Sequence, residues 1–329
     1  MDPNAGSIPN LISLSQIPTN METKLETDLL EPVVFNQGGK TSDGFCRFTL
    51  QNKGFLHSHS KLFLSVVPGT GVNSAYFAPN VGIGQMVKKA VLKIGNKTLN
   101  EVSSWDALFA IKSSLIKNEN NKEREQFTTG RFMANDFRYT EGSSVEALDY
   151  GLDNGLEYVS KGGTPNLTVP IWAQSDTDAP AECPTFSIDL SDLFPFLKVN
   201  QLPLYMIDEP INIELTFHPT VGKRIQIDST DTAGSECLIT RSDIKFCADY
   251  VYYGKGDEMT QFANANKDMS FSFVDYRSSE MTVSDTSLGQ TVIRNVGMAN
   301  RVVNRLLTRV SDTTSGEATI LNSQNGLAP

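Results

Sequence analysis

Cysteine, histidine and tryptophan are scarce in this chain, and each scarcity removes a class of chemistry. The four cysteines (Cys46, Cys183, Cys237 and Cys247) stand too far apart for a zinc motif, the closest pair being spaced C-x9-C. They read as small buried hydrophobes or free thiols, as in a protein made and kept in a reducing compartment. Of the three histidines, His57 and His59 form an H-S-H pair whose imidazoles fall on one side of an extended segment, a spacing some metal sites use. No cysteine or acidic residue lies close in sequence, so the pair reads as surface polarity. His218, just before Pro219, reads as a turn residue.

Long apolar runs are also missing. No stretch approaches the ~18 residues of a membrane-spanning helix. The opening "MDPNAGSIPNLISLSQIPTN" lacks the basic and apolar regions of a signal peptide. Positive charge is in deficit: the net charge is −10 and the isoelectric point about 4.9. That balance argues against a chain-wide electrostatic grip on nucleic acid or an anionic membrane.

Catalytic signatures are absent too: no nucleophile elbow, Walker loop, dinucleotide fingerprint, H-E-x-x-H or EF-hand loop is found. "VGIGQM" (81–86) has two glycines and reads as a turn entering a strand. Asp189, Asp192, Asp208 and Glu209 cluster in sequence, but a glycosidase needs two carboxyls facing each other across a cleft. These four are explained better as caps and turn formers, with Asp189 or Ser191 placed to cap a short helical turn containing Leu193 and Phe194. No catalytic, cofactor-binding or metal-ligating residue is assigned, no cofactor is expected, and the chain does not read as an enzyme.

What the sequence does have is strand signal. "FCRFTL" (45–50) alternates; "KLFLSVVPG" (61–69) is an apolar run ending at a Pro-Gly turn; "AVLKIGNKTLNEV" (90–102) is a hairpin turning at Gly95-Asn96. In "INIELTF" (211–217), Ile211, Ile213, Leu215 and Phe217 face one way and Asn212, Glu214 and Thr216 the other. Further strands are expected over 167–172, 185–190, 223–227, 237–253, 269–283, 290–296 and 304–312.

One amphipathic helix is predicted over 103–117, with a Ser103/Asp106 capping box and Trp105, Leu108, Phe109, Leu115 and Ile116 on one face. The charged run 117–126 reads as a solvated helix end and loop. Residues 128–168, rich in Gly, Ser, Thr and Asn, read as a large excursion. Strands at this density with almost no helix predict an all-β jelly-roll sandwich.

One stretch remains to be explained. The connection within "FSIDLSDLFPFLKVNQLPLYMIDEPINIELTF" (186–217) carries Leu193, Phe194, Phe196, Leu197, Leu202, Leu204, Tyr205 and Met206. So many bulky apolar side chains must pack on their own sandwich or bury against other subunits.

This stretch resembles the segment joining the last strands of the first sandwich in double jelly-roll major capsid proteins of polinton-like viruses, virophages and nucleocytoplasmic large DNA viruses. "VGIGQMVKKAVLKIGNKTLNEVSSWDALFAIKSSL" (81–115) is similar to that family's strand, hairpin and following helix. Residues 271–312 resemble the opening strands of its second jelly roll.

The resemblance implies an N-terminal arm (1–30), a complete first jelly roll (31–235) and the beginning of a second (236–329). It implies a structural protein of the virion, made in the host cytoplasm or nucleus, whose homotrimers form pseudo-hexagonal capsomers of an icosahedral shell. Partners would be neighbouring capsomers, penton and minor capsid proteins and an internal membrane, without direct sequence-specific nucleic-acid binding. Residues 128–168 would form an outer loop. Two full jelly rolls need about sixteen strands of roughly 5–6 residues plus loops, so the second is expected to be partial or completed by another polypeptide. The alternatives are a carbohydrate- or receptor-binding β-sandwich, such as a fibre head or lectin, and a glycoside-processing jelly-roll enzyme. The first of these would use exposed aromatic platforms, yet Trp105 sits on the helix face and Trp172 at a strand end.

Overall fold

The computed structural model of the chain describes residues 23–38, 42–68, 74–76, 82–115, 128–129, 138–139, 148–149, 170–173, 185–198, 202–218, 226–227, 237–253, 264, 275–279, 303 and 305–307. The sandwich is built from β1 (Thr23–Leu30), β2 (Val34–Asn36), β3 (Gly44–Leu50), β4 (Phe55–Leu56), β5 (Lys61–Ser65), β6 (Val87–Ile94), β7 (Lys97–Ser103), β8 (Thr185–Asp189), β9 (Leu202–Pro203), β10 (Ile211–Phe217) and β11 (Ile244–Tyr253), of which β3, β5, β6, β7, β8, β10 and β11 fall on stretches expected to be strands.

All pairings are antiparallel. Of the two large sheets, one runs β1, β11, then β4 and β5 in a single row, then β9 and β8 in the next; the other runs β2-β3-β10-β6-β7. Taking β4/β5 as one strand and leaving out the short β2 and β9 gives the chain order 1-8-3-6 in one sheet and 2-7-4-5 in the other. That is the strand order of a jelly roll.

The period-2 pattern explains the layering. β10 buries Ile211, Ile213, Leu215 and Phe217, and β3 buries Cys46, Phe48 and Leu50 in register beside it. β11 sends Ile244, Phe246, Ala248 and Tyr250 inward from the other sheet. Phe48 and Phe246 meet across the gap with ring centroids 5.8 Å apart. Cys46 is buried and Cys247 half-buried, both as free thiols; burial pushes the Cys46 thiol well above the ordinary range. The hairpin turns at Gly95-Asn96 as expected, with φ +54° at Gly95 supplying the conformation that a two-residue turn with glycine first requires.

Several expectations change. The capping box at Ser103 is not how the helix begins. Ser103 is the last residue of β7, its hydroxyl donates to Glu101, and Ser104 at φ +50° makes the corner into α1 (Trp105–Leu115). α1 is three turns long and buries Trp105 and Phe109 against β6 and the 3-10 turn Gly82–Met86. The rings of Trp105 and Phe109 stack at 4.8 Å. Ile116 and the charged run 117–126 lie outside the described residues, as do most of 128–168 and the strand expected over 290–296.

Strand pairing also links residues on either side of positions 30 and 235. β1, from the stretch assigned to an arm, pairs along its full length with β11, from the stretch assigned to a second jelly roll. The sandwich therefore draws its strands from Thr23 to Tyr253. Residues 275–279 and 305–307, inside the strands expected over 269–283 and 304–312, have no strand pairing. Their alternation meets no second layer among the described residues, and Val303, Leu306 and Leu307 are exposed. Tyr276 of this segment instead lies under the Lys112 ammonium of α1, 5.2 Å from its ring centre.

The apolar connection after β8 packs on its own sandwich. It forms α2 (Leu190–Leu193), a 3-10 turn (Pro195–Lys198), β9 and a second 3-10 turn (Leu204–Met206). Leu190, Leu193, Phe194, Leu197, Leu202 and Leu204 are all buried in the main core, while Tyr205 and Met206 are half-buried. Asp189 stands at the N-cap of α2 but makes no side-chain cap bond. The first two helical N–H groups, of Leu190 and Ser191, donate instead to the backbone carbonyls of Ser60 (2.7 Å) and Ser58 (3.1 Å). Backbone acceptors from the neighbouring row thus do the work expected of Asp189 or Ser191.

Candidate assembly surface

The histidines fall at two separate places. His57 and His59 lie not on an extended segment but in a tight turn between β4 and β5, their rings edge to face at 5.0 Å. The His59 N–H donates to His57 Nδ1 at 3.1 Å. Burial and the neighbouring His59 hold His57 below the ordinary histidine range, against the opposing pull of Asp249. No group of three or more His, Cys, Asp or Glu placed to hold a metal ion occurs among the described residues.

His218 is more than a turn residue. Its Nε2 and Asp106 Oδ2 are 3.0 Å apart, and both side chains are largely buried. The residue after β10 is thereby fastened to the first turn of α1, while the His218 N–H donates to the Met86 carbonyl. This pair, separated by 112 residues, has no sequence signature. His218→Ala is expected to cost about 1–3 kcal/mol by removing the imidazole that pairs with a largely buried carboxylate, read as a lower urea midpoint at unchanged slope.

The clustered carboxylates serve separate structural ends. Asp192 pairs with Lys198 at 3.2 Å, Asp189 begins α2, and Asp208 and Glu209 are exposed in the loop before β10.

The two outer faces differ in chemistry. Outside the β2-β3-β10-β6-β7 sheet, polar side chains bond to one another. Thr49 donates to Asn212 at 2.8 Å, Lys93 pairs with Glu214 at 2.6 Å, and Lys89 with Glu101 at 2.6 Å. The Lys89 ammonium holds Glu101 below the usual carboxylate range. These cross-strand pairs make a wetted face.

The other sheet ends in β1, whose outer edge pairs with no strand among the described residues. Its inward side carries Glu26 and Asp28, charges that a core-facing strand would ordinarily exclude. Lys53, from the turn after β3, resolves this by pairing with Glu26 and, at 2.7 Å, with Asp28. Its ammonium also sits 4.6 Å from the Tyr250 ring centre. Burial alone would lower the Lys53 pKa; the two carboxylates reverse that and raise it above the ordinary lysine range.

On its outward side Thr27 donates to Asp249 at 2.6 Å, flanked by Leu25 (63% exposed) and Leu29 (58%). Val33 (59%) and Val34 are also exposed where the chain crosses to the second sheet. A long, unpaired edge with exposed leucines is what native proteins ordinarily cover or blunt.

Fold and edge together define a jelly-roll sandwich with one polar outer face and one edge strand, β1, that carries exposed leucines and pairs with no further strand among the described residues. No family model matches the chain, and no curated protein matches its sequence. Among solved structures the chain is similar to the Faustovirus major capsid protein, at 10% identity over 73% of this chain and 56% of that one, with a TM-score of 0.40. It is similar to the mavirus major capsid protein at 11% identity over 74% and 48%, with a TM-score of 0.35. A quasi-atomic model of the PBCV-1 virus capsid matches at 13% identity over 75% and 46%, with a TM-score of 0.40. The chain spans about half the length of these structures.

Proposed function

We propose that the chain is a structural major capsid protein of the double jelly-roll kind, building homotrimeric, pseudo-hexagonal capsomers of an icosahedral virion shell. The observation that carries this reading is the open β1 edge. Leu25, Leu29, Val33 and Val34 are exposed apolar side chains on and just after this strand, while the outer face of the other sheet carries charged pairs, which favours burial of that edge in lateral contact with other subunits or a second sandwich. The sequence resemblance adds support, since 81–115 and 186–217 coincide with the β6–β7 hairpin, α1 and the packed connection to β10.

In this reading the first jelly roll spans Thr23–Tyr253, and residues beyond it begin a second unit. Neighbouring capsomers, penton and minor capsid proteins and an internal membrane are its partners, and catalysis has no part in it. A carbohydrate-binding role is less well supported, because Trp105 is buried in a stack with Phe109 and offers no platform to a sugar.

Electron microscopy of the purified native protein tests the proposal. Three-fold particles of hexagonal outline are expected; isolated single-sandwich particles at all concentrations would overturn it.

A further inference from the structure

Two rows of the first sheet are interrupted side by side: one by the turn 57–60 between β4 and β5, the other by residues 190–198 after β8. The turn joins three parts of the fold. Ser60 N–H and its hydroxyl both donate to the His57 carbonyl, at 3.1 and 2.8 Å, closing the turn on itself. The same hydroxyl accepts from Asp249 N–H at 3.0 Å, and the Asp249 carbonyl accepts from His57 N–H at 2.9 Å, tying the turn to β11. The carbonyls of Ser58 and Ser60 receive the first N–H groups of α2. Inside the turn, the His59 N–H is satisfied by His57 Nδ1, which accepts only while it carries no proton.

We infer that the 57–60 turn is an acid-sensitive latch: protonation of His57 at Nδ1 removes the acceptor inside the turn and loosens its hold on α2 and β11. The charged surroundings set the direction. His59 faces the ring from within the turn. Asp249 of β11 faces it from the sheet, with its carboxylate already accepting from Thr27 of β1. Lys61 of β5 lies opposite Asp189 of β8 and Cys247 of β11 in the sheet register.

Burial and His59 outweigh Asp249 and keep the folded His57 below its ordinary value of 6.5. The opened turn, with an ordinary histidine, therefore binds the proton more readily than the closed one. The latch's contribution is complete above about pH 6.5 and is lost as the pH falls from there through the lower folded-state value.

Amide hydrogen exchange of the full chain at Leu190, Ser191 and Asp249, corrected for intrinsic rates, tests this. Opening is expected to rise by up to about tenfold per pH unit within that window. In His57→Asn the amide oxygen accepts from residue 59 as in an Asx-turn but does not titrate, so the acid response disappears. A pH-independent opening in the native chain, or an equal acid response in His57→Asn, overturns the inference. Should that variant not fold, the midpoint of exchange in the native chain is compared with the His57 ring titration followed by NMR. Coincidence supports the latch, and separation by more than about one pH unit overturns it.

Discussion

Trp105→Ala is expected to remove about 3–5 kcal/mol of stability, a large part of what a domain of this kind possesses. Three losses combine at one residue. The indole is 1% exposed and stacks on Phe109 at 4.8 Å. Its Nε1–H donates to the Asp192 carbonyl at 3.1 Å, joining α1 to the connection that follows β8. The site is also too tightly built to collapse. A Cβ placed on Gly84 would lie 2.7 Å from Phe109 and 3.3 Å from Trp105, so the turn already touches both rings. Urea denaturation followed by near-ultraviolet circular dichroism is the check. A loss below about 1 kcal/mol would mean that α1 is not integral to the sandwich.

The second large effect concerns association rather than folding. Leu25→Glu combined with Leu29→Glu is expected to leave the sandwich intact within about 0.5 kcal/mol, as for other exposed positions, because β1 is held by its pairing to β11, by Lys53 and by Thr27. The same change removes two leucines from the proposed contact. At about 1.5–3 kcal/mol each, their burial is worth some 3–6 kcal/mol, and carboxylates buried without partners would add to the loss. At about 1.4 kcal/mol per decade, assembly weakens by at least a hundredfold. Sedimentation velocity of the double variant against the native chain reads this directly. Equal association by both would show that the β1 edge lies outside the contact.

Much of the sandwich was legible because its central strands carry their layering in period two. "INIELTF" spans Ile211–Phe217 as expected, and Gly95-Asn96 turns the hairpin it announces. The apolar connection was legible as something that needed cover, and Leu193, Phe194 and Leu197 found it within the same sandwich. What escaped depends on partners remote in sequence. "TKLETDLL" (23–30) does not read as a strand because Glu26 and Asp28 occupy its inward side, and only Lys53 makes that tolerable. Caps drawn from the Ser58 and Ser60 carbonyls carry no side-chain signature, so a sequence argument turns to Asp189 instead. His218 meets Asp106 only once β10 and α1 are in place. In the other direction, alternation over 269–283 and 304–312 reads as strand, yet the described residues 275–279 and 305–307 are not in strand conformation, since a strand needs a neighbouring strand as well as a pattern.

The proposed role of this sandwich is to associate through the β1 edge. The mass of the native particle, by light scattering on the purified protein, addresses it most directly. A trimer of the 36.1 kDa chain or a larger shell built from trimers is the expected result. A stable 36.1 kDa monomer across the accessible concentration range would contradict it.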